Sequence, residues 1–524
     1  MLRAKFARVY FCILITVFSL LSCSCASDPR TFAIELPPPP LIPIQQQERE
    51  LHVQTIYVDH MILESSCKSY SIGRRSCGEG KDLACRTLAE AALLADAGDT
   101  IEIREGVYHE PIAPVSSGAS GAPITFRNFP GESVTLSSVD EPAVRLINIS
   151  HIVVQGIAVT DVLGWGRLEN AHYNVISNNL FANAEARGTT GGLKLVKSHF
   201  NRVVLNRFER GNDSVVVQES DRNLIGGNVF RWARHSLVSV RCGNFNVIRG
   251  NEFHNERQKA VEIYDCEGVS DAPYKLNATK RNVIENNWFL YTRGPSAPHK
   301  YNAIQFAGQY GIVRRNVFHG NQGGGVNFQI YSAESLYTYG NRVYHNTFFK
   351  NHCYALKGSG GVGEIFGDNL VVNNIFHQNY DCDGRPDQVS IGDPEAVFLQ
   401  HNAVLSPTED PGFVSEDIGD LRLRSYSRLV DTGSFLTRTV RPGSGTSLPI
   451  EDVLYFSDGF GVPDIGGDMI QLENSRQKAR VIGVDYHRRE LLLDRPLNWS
   501  VGQGVALAYE GKAPDFGAWE CPSK

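Results

Sequence analysis

The stretch NVISNNLF, residues 174–181, sets asparagine at its first and sixth positions, β-branched residues between them and phenylalanine at its eighth. The phrase returns as NRVVLNRF (201–208), NLIGGNVF (223–230), NVIRGNEF (246–253), NVIENNWF (282–289), GIVRRNVF (311–318), NRVYHNTF (341–348) and NLVVNNIF (369–376), with VFLQHNAV (397–404) as a worn ninth copy. The sixth position is Asn in all nine copies and the eighth is Phe in the first eight, at start-to-start spacings of 27, 22, 23, 36, 29, 30, 28 and 28 residues. Self-similarity at such a period is the mark of a solenoid. The apolar positions are β-branched or aromatic, alternate with polar ones and are bounded by Asn and Gly, so each unit reads as strand, tight turn, strand. Without helix-length segments, a unit holds about three short strands, one coil of a parallel β-helix. Stacked coils set each Asn about 4.8 Å above its predecessor. There its amide bonds along the stack and the residue occupies a turn conformation that most others avoid. The Phe rings stack inside, and both ladders are structural.

Working outward, each phrase is followed by a further strand: GGLKLV (191–196), DSVVVQ (213–218), HSLVSV (235–240), KAVEIY (259–264), NAIQFA (302–307) and GGVNFQ (324–329). These are expected to form one continuous parallel sheet. The insertions DCEGVSDAPYKLNATKR (265–281) and YTRGPSAPHKY (291–301) fall beside that sheet and can wall a groove over it. Upstream, TLAEAALLADAGDTIEIREGVYHEPI (87–112) predicts a short amphipathic helix, which would cap the open end of the stack and hide its first edge. Residues 430–511 lose the phrase and alternate in DMIQLEN, KARVIGVDY and RELLLDRPL, which predicts a small antiparallel β module. Residues 512–524, with APDFGAWE, read as a terminal strand and tail. The fold class is all-β: a parallel β-helix over 51–429 with an N-terminal capping helix and a C-terminal antiparallel β module.

The 524 residues, 42% hydrophobic, suffice for a large core. A formal net charge of −6 speaks against a general nucleic-acid or anionic-membrane binder. At the start, Arg3, Lys5 and Arg8 precede an apolar run from Val9 to Leu21 and then small residues, which reads as a secretory leader over 1–26. Leu20, Leu21, Ser22 and Cys23 resemble a bacterial lipoprotein box with Cys23 as the lipidated residue; Ser24, Cys25 and Ala26 would equally suit ordinary cleavage. The expectation is export, as an outer-membrane or cell-surface lipoprotein or as a periplasmic or secreted protein. Within the segment 27–50, LPPPPLIPIQQQERE (36–50) predicts an extended spacer. Any membrane association is expected through the lipid alone, and the protein is expected to be a monomer. Eight cysteines follow the leader. Cys242 with Cys266, and Cys353 with Cys382, fall on neighbouring coils as disulfides or buried stacks.

The chain resembles the right-handed parallel β-helix proteins of carbohydrate metabolism, both in AGDTIEIREGVYHEPIAPVSSGASGAPITFRNFPGE (97–132) and in PDFGAWE (514–520). Locally it is most similar to the polysaccharide lyases of the chondroitinase B and alginate lyase type. In those, a strand ending in Arg-His-Gly precedes an Asn-rich phrase, and a Lys-Ser phrase one coil earlier supplies a partner lysine. Here Arg241, Cys242 and Gly243 match with Cys at the His position, while Glu219 and Ser220 stand where Lys-Ser is expected. Lys197 and Ser198 form a Lys-Ser two coils from Arg241. The resemblance spans roughly residues 85–405 for the fold and half of the catalytic motif, and it implies an acidic polysaccharide as partner.

Counting coils, Lys197, Glu219, Arg241 and Asp265 are 22, 22 and 24 residues apart and are expected in one row near successive strand ends. The plain account is a salt-bridge ladder whose pairs contribute about 0–1 kcal/mol each. The functional account is a groove for a uronate chain, in which the carboxylate is neutralised, a base removes the C5 proton and an acid protonates the leaving oxygen. Arg241 would bind the carboxylate in bidentate fashion. Lys197 or Lys259 would be the base, and Glu219, Glu262 and Asp265 could instead hold a Ca²⁺ that does the neutralising. His235 is a further acid/base candidate, and Tyr264, His299, Lys300 and Asn302 would contact substrate. The expected function is therefore a lyase acting by β-elimination. The alternatives are a non-catalytic glycan-binding or envelope scaffold, a uronate epimerase, or a glycoside hydrolase using two of the carboxylates.

Overall fold

The computed structural model describes residues 53–140, 142–184, 191–254, 258–264, 279–291, 301–329, 337–359 and 365–522. Three long sheets, of fifteen, twelve and ten strands, run along it, parallel throughout except where Ser66–Tyr70 pairs antiparallel with Asp82–Cys85. Each copy of the phrase spans two of them. In the copy at 246–253, Val247–Arg249 belongs to the fifteen-stranded sheet and Glu252–His254 to the twelve-stranded one. The strand after each of the first eight phrases joins the ten-stranded sheet, in which Leu193–Val196, Val215–Gln218, Val238–Arg241, Val261–Tyr264, Ile304–Phe306 and Val326–Gln329 are consecutive neighbours. Three strands per coil and one continuous third sheet are thus as expected.

The sixth-position asparagines form a ladder from Asn179 to Asn402, buried as far as Asn374. The Asn251 side-chain oxygen accepts from both the backbone N–H and the side-chain amide of Asn228, at 2.9 and 3.0 Å, while its own amide donates to the carbonyl of Ile225 at 2.8 Å. A second ladder of first-position asparagines breaks at Gly311, whose N–H still donates to Asn341 at 2.7 Å. The residue in the left-handed turn is not the ladder asparagine, however. It is the residue just before, such as Leu205 (φ 58°), Asn286 (φ 55°) and His345 (φ 52°). Turning the chain there aims the following amide inward along the stack, where its polar atoms are satisfied. Inside, Phe181, Phe208, Phe230, Phe253, Phe289, Phe318, Phe348 and Phe376 stack at 4.5–5.0 Å between centroids.

The helix Leu88–Leu94 begins at a capping box, with Glu90 N–H donating to Thr87 Oγ1 at 3.2 Å and Thr87 N–H to the Glu90 carboxylate at 3.2 Å. It buries Leu88, Ala91 and Ala92 in the first core, next to the strands Thr55–Val58 and Asp82–Cys85. At the other end, six antiparallel strands between Thr437 and Leu507 form the C-terminal module. The module covers the fifteen-stranded sheet. Outward Leu224, Val247, Val283, Ile312 and Val372 share a core with Leu448, Ile450, Val481 and Leu491.

The expected terminal strand at APDFGAWE is corrected. No strand forms among the described residues 512–522, because Gly517 turns at φ 85° and the segment bonds to corners of the solenoid. Gly517 N–H donates to Asn373 O at 2.9 Å and Ala518 N–H to Thr347 Oγ1 at 3.1 Å. Cys353 and Cys382 form the disulfide that their coil spacing allowed, and Cys67 with Cys77 forms another. Cys242 is disulfide-bonded, while Cys266 lies outside the described residues.

Candidate active site

On the ten-stranded sheet Val238, Val240, Val261 and Ile263 point into the core, so the alternate residues face outward. Register sets those outward residues in rows. One row runs Arg167, Lys194, Val216, Ser239, Glu262 and Gln305. The next runs Glu169, Val196, Gln218, Arg241 and Tyr264.

The expected row of Lys197, Glu219, Arg241 and Asp265 is corrected by this register. Lys197 and Glu219 sit one position beyond the strands, in left-handed turns at φ 49° and 50°, and the residue aligned with them on the following coil is Cys242, also at φ 50°. The coil from Glu219 to Cys242 takes 23 residues, so a count of 22 lands one residue early, on the strand. A one-residue slip moves a side chain to a different direction. Lys197 pairs with Glu219 at 3.7 Å, and Glu219 is buried beneath it. Asp265, His299 and Lys300 lie outside the described residues.

Arg241 is placed differently and more tellingly. Its guanidinium lies 4.5 Å from the centre of the Tyr264 ring, its register neighbour. Its Nε is buried and has no hydrogen-bond partner among the described residues. A cation over an aromatic face is worth about 0.5–2 kcal/mol. The ring therefore holds the guanidinium without using its hydrogen-bond donors, which stay available for a ligand.

Around Arg241 the sheet gathers groups of matched character. Burial pushes the Lys194 ammonium below its ordinary value; Asp213 opposes this, and the positive charges of Arg167 and Arg241 reinforce it. His235 Nδ1 bonds Asp213 Oδ1 at 2.8 Å, and its Nε2 lies 3.9 Å from Glu262 Oε2. The bond to Asp213 raises the His235 imidazole above its ordinary value against burial, with Asp213 and Glu262 adding their negative charge. Burial alone would raise the Asp213 carboxyl, yet the bond from His235, its charge and the Ser236 N–H hold it low. Glu262 also accepts from Ser236 Oγ at 3.1 Å and forms a buried ion pair with Lys259. Lys259 is thereby engaged as a structural counter-ion. Asn302 is buried, and its Oδ1 is without a partner among the described residues.

Of the residues expected from sequence, Arg241, Tyr264, His235, Lys259, Glu262 and Asn302 share the ten-stranded sheet and its entry edge. Glu219 and Glu262 do not come together, since Glu219 occupies the turn row and Glu262 a strand row two coils on. Among the described residues no group of three or more His, Cys, Asp or Glu side chains is placed to hold a metal ion. Two participants escaped the sequence reading, Lys194 and Asp213. Lys194 stands mid-strand in GGLKLV, where alternation marks it as outward, and Asp213 precedes His235 by 22 residues, one coil.

Residues 191–382 match the family described as right handed beta helix region. A stretch of 89 residues is 39% identical to the uncharacterized protein YwoF of Bacillus subtilis (strain 168), covering 16% of this chain and 19% of that protein. Solved structures similar to this chain include pectate lyase Pel9A, at 13% identity and a TM-score of 0.44, with 89% of this chain and 96% of that one covered. Another is an alginate lyase from Paenibacillus sp. str. FPU-7, at 14% identity and a TM-score of 0.37, with 61% of this chain and 98% of that one covered. The segment that matches the family carries Lys194, Asp213, His235, Arg241 and Glu262, and the fold that presents them is a right-handed parallel β-helix.

Proposed function

We propose that the face of the ten-stranded sheet binds an acidic, uronate-containing polysaccharide and cleaves it by β-elimination. The carrying observation is Arg241, held over Tyr264 with a buried Nε that has no hydrogen-bond partner among the described residues, on the same face as a lysine whose ammonium is already disfavoured. Arg241 would bind the substrate carboxylate, drawing charge from C5 and acidifying its proton. Neutral Lys194 would take that proton. The freed electron pair forms the C4–C5 double bond as the C4–O bond breaks, and the leaving oxygen is protonated by His235, whose charged form Asp213 favours. Purified protein incubated with alginate, pectate, chondroitin and dermatan should release unsaturated products absorbing in the ultraviolet from at least one of them. No such absorbance from any of the four, with or without added Ca²⁺, would overturn the reading.

A second reading has one observation in its favour: Asp213 and Glu262 flank His235, and paired carboxylates are the apparatus of glycoside hydrolysis. New reducing ends without ultraviolet absorbance would select it.

A further inference from the structure

Where outward arginines of the fifteen-stranded sheet meet the C-terminal module, module aspartates answer them. Arg202 pairs with Asp464, Arg314 with Asp468 at 2.6 Å and Arg342 with Asp452 at 2.9 Å. One part of the seam breaks this pattern. A cavity of about 220 Å³ between the sheet and the module is lined by Arg249, Arg314, Arg315 and Arg480, against Glu285 and Asp468 alone. The lining residues thus carry a formal excess of two positive charges, with Glu520 near Arg315 and Asp494 near Arg480 outside the lining.

Both carboxylates are committed to Arg314, Glu285 at 2.8 Å and Asp468 at 2.6 Å. Burial would lower the Arg314 guanidinium, but these two acids hold it firmly charged. Arg249 approaches Glu285 only to 3.5 Å through Nε. Arg315 donates to the Ala508 carbonyl at 3.5 Å, and Arg480 to the Gly467 carbonyl at 2.9 Å. These contacts occupy a minority of the donors that guanidinium groups carry. Arg480 is also set close to the module backbone, since a Cβ on Gly466 would come 2.7 Å from its guanidinium nitrogen. At Arg202, Arg314 and Arg342 a solenoid cation meets a module anion, whereas Arg249 and Arg480 line one cleft as like charges.

We propose that this cleft binds a divalent oxyanion of the sulfate or phosphate class, either free or as an ester group on a sugar. Such an ion carries the charge that offsets the excess, and its oxygens match the planar forks of several guanidinium groups at once. A cleft of this size admits a tetrahedral anion. The site is on a different sheet from the Arg241 face, and its test does not depend on turnover.

The full-length protein is titrated with sodium sulfate, sodium phosphate, glucose 6-sulfate and glucose 6-phosphate, at constant ionic strength balanced with chloride, while melting temperature and heat of binding are followed. At least one of these should give a saturable rise in melting temperature. Arg249→Gln and Arg480→Gln should each weaken it by about tenfold or more, whereas Arg422→Gln, an exposed arginine elsewhere, should leave it unchanged. Tighter binding of the sugar esters assigns the site to a substituted glycan, and equal or tighter binding of the inorganic ions to a free anion; either supports the site. No saturable effect beyond chloride, or full binding retained in both Arg249→Gln and Arg480→Gln, overturns it.

Discussion

Arg241 and Tyr264 are register partners on adjacent strands, and the guanidinium of one lies 4.5 Å from the ring centre of the other. The ring holds the guanidinium in place without using its hydrogen-bond donors. If those donors bind a uronate carboxylate, Arg241→Ala should lower kcat/KM by about 10²–10³-fold, the loss found when a charge-stabilising donor is removed. Arg241→Lys should recover little, because an ammonium cannot bond a carboxylate as a fork. Tyr264→Phe keeps the aromatic face and should stay near wild type, while Tyr264→Ala should raise KM. Steady-state ultraviolet assays on a cleaved uronate polymer check all four.

Lys194 acts as base only when neutral, so turnover should climb with pH through its pKa, which lies below the ordinary lysine value because of burial and neighbouring cations. Lys194→Gln should abolish that limb of the kcat/KM profile and cost about 10²–10⁴-fold. Lys197→Ala, which removes a cation paired with Glu219 in the turn row, should leave the profile in place. Equal losses in both variants would return the role of base to the turn row.

His235 supplies a stability test that needs no substrate. Its folded pKa is raised by Asp213, so the stabilisation is fully present below the unfolded value of about 6.5 and is lost as pH rises through the folded value. Melting temperature should therefore fall across that window. Asp213→Asn should flatten the fall, and a wild-type curve that is level across it would contradict the pairing.

Glu520 should act at the other end of the chain. Burial and the charge of Asp515 push its carboxyl up to about 7. A raised acid opposes folding once the unfolded chain ionises, so stability should drop as pH climbs from the ordinary glutamate value to about 7 and stay level above it. Glu520→Gln should remove the drop, measured by melting temperature across that range.

The ladders should be costly to interrupt. Asn251→Ala removes the acceptor for two buried donors of Asn228 and the bond to Ile225, for a loss of about 2–4 kcal/mol. Phe253→Ala opens a cavity between Phe230 and Phe289 and should cost about 3–5 kcal/mol. Urea denaturation of each variant measures these losses.

The solenoid was legible because its determinants repeat: an amide every coil at the sixth position of the phrase and a ring every coil at the eighth, each stacking on its own kind. The ten-stranded sheet was legible for the same reason, since a strand such as DSVVVQ or HSLVSV follows each of the first six phrases, at offsets that vary only with the insertions. Reading Arg241 alongside Lys197 and Glu219 failed because the next coil holds one residue more. In a strand, one residue separates an outward side chain from a turn. Lys194 was visible as an outward position, but its lowered pKa comes from burial and from Arg167 and Arg241, which belong to other coils. The tie of His235 to Asp213 is likewise made between coils.

Sequence by itself determined the coil, its two ladders, the helix at one end and the antiparallel module at the other, because each is set by local periodicity and by identical neighbours. Tertiary structure decided which residues share a row on the ten-stranded sheet and which charges face each other across the seam of the module. It also decided that the closing PDFGAWE segment binds solenoid corners instead of forming a strand. Those relationships depend on register and on contacts between segments far apart in the chain, and spacing counts carry neither to within the single residue that matters.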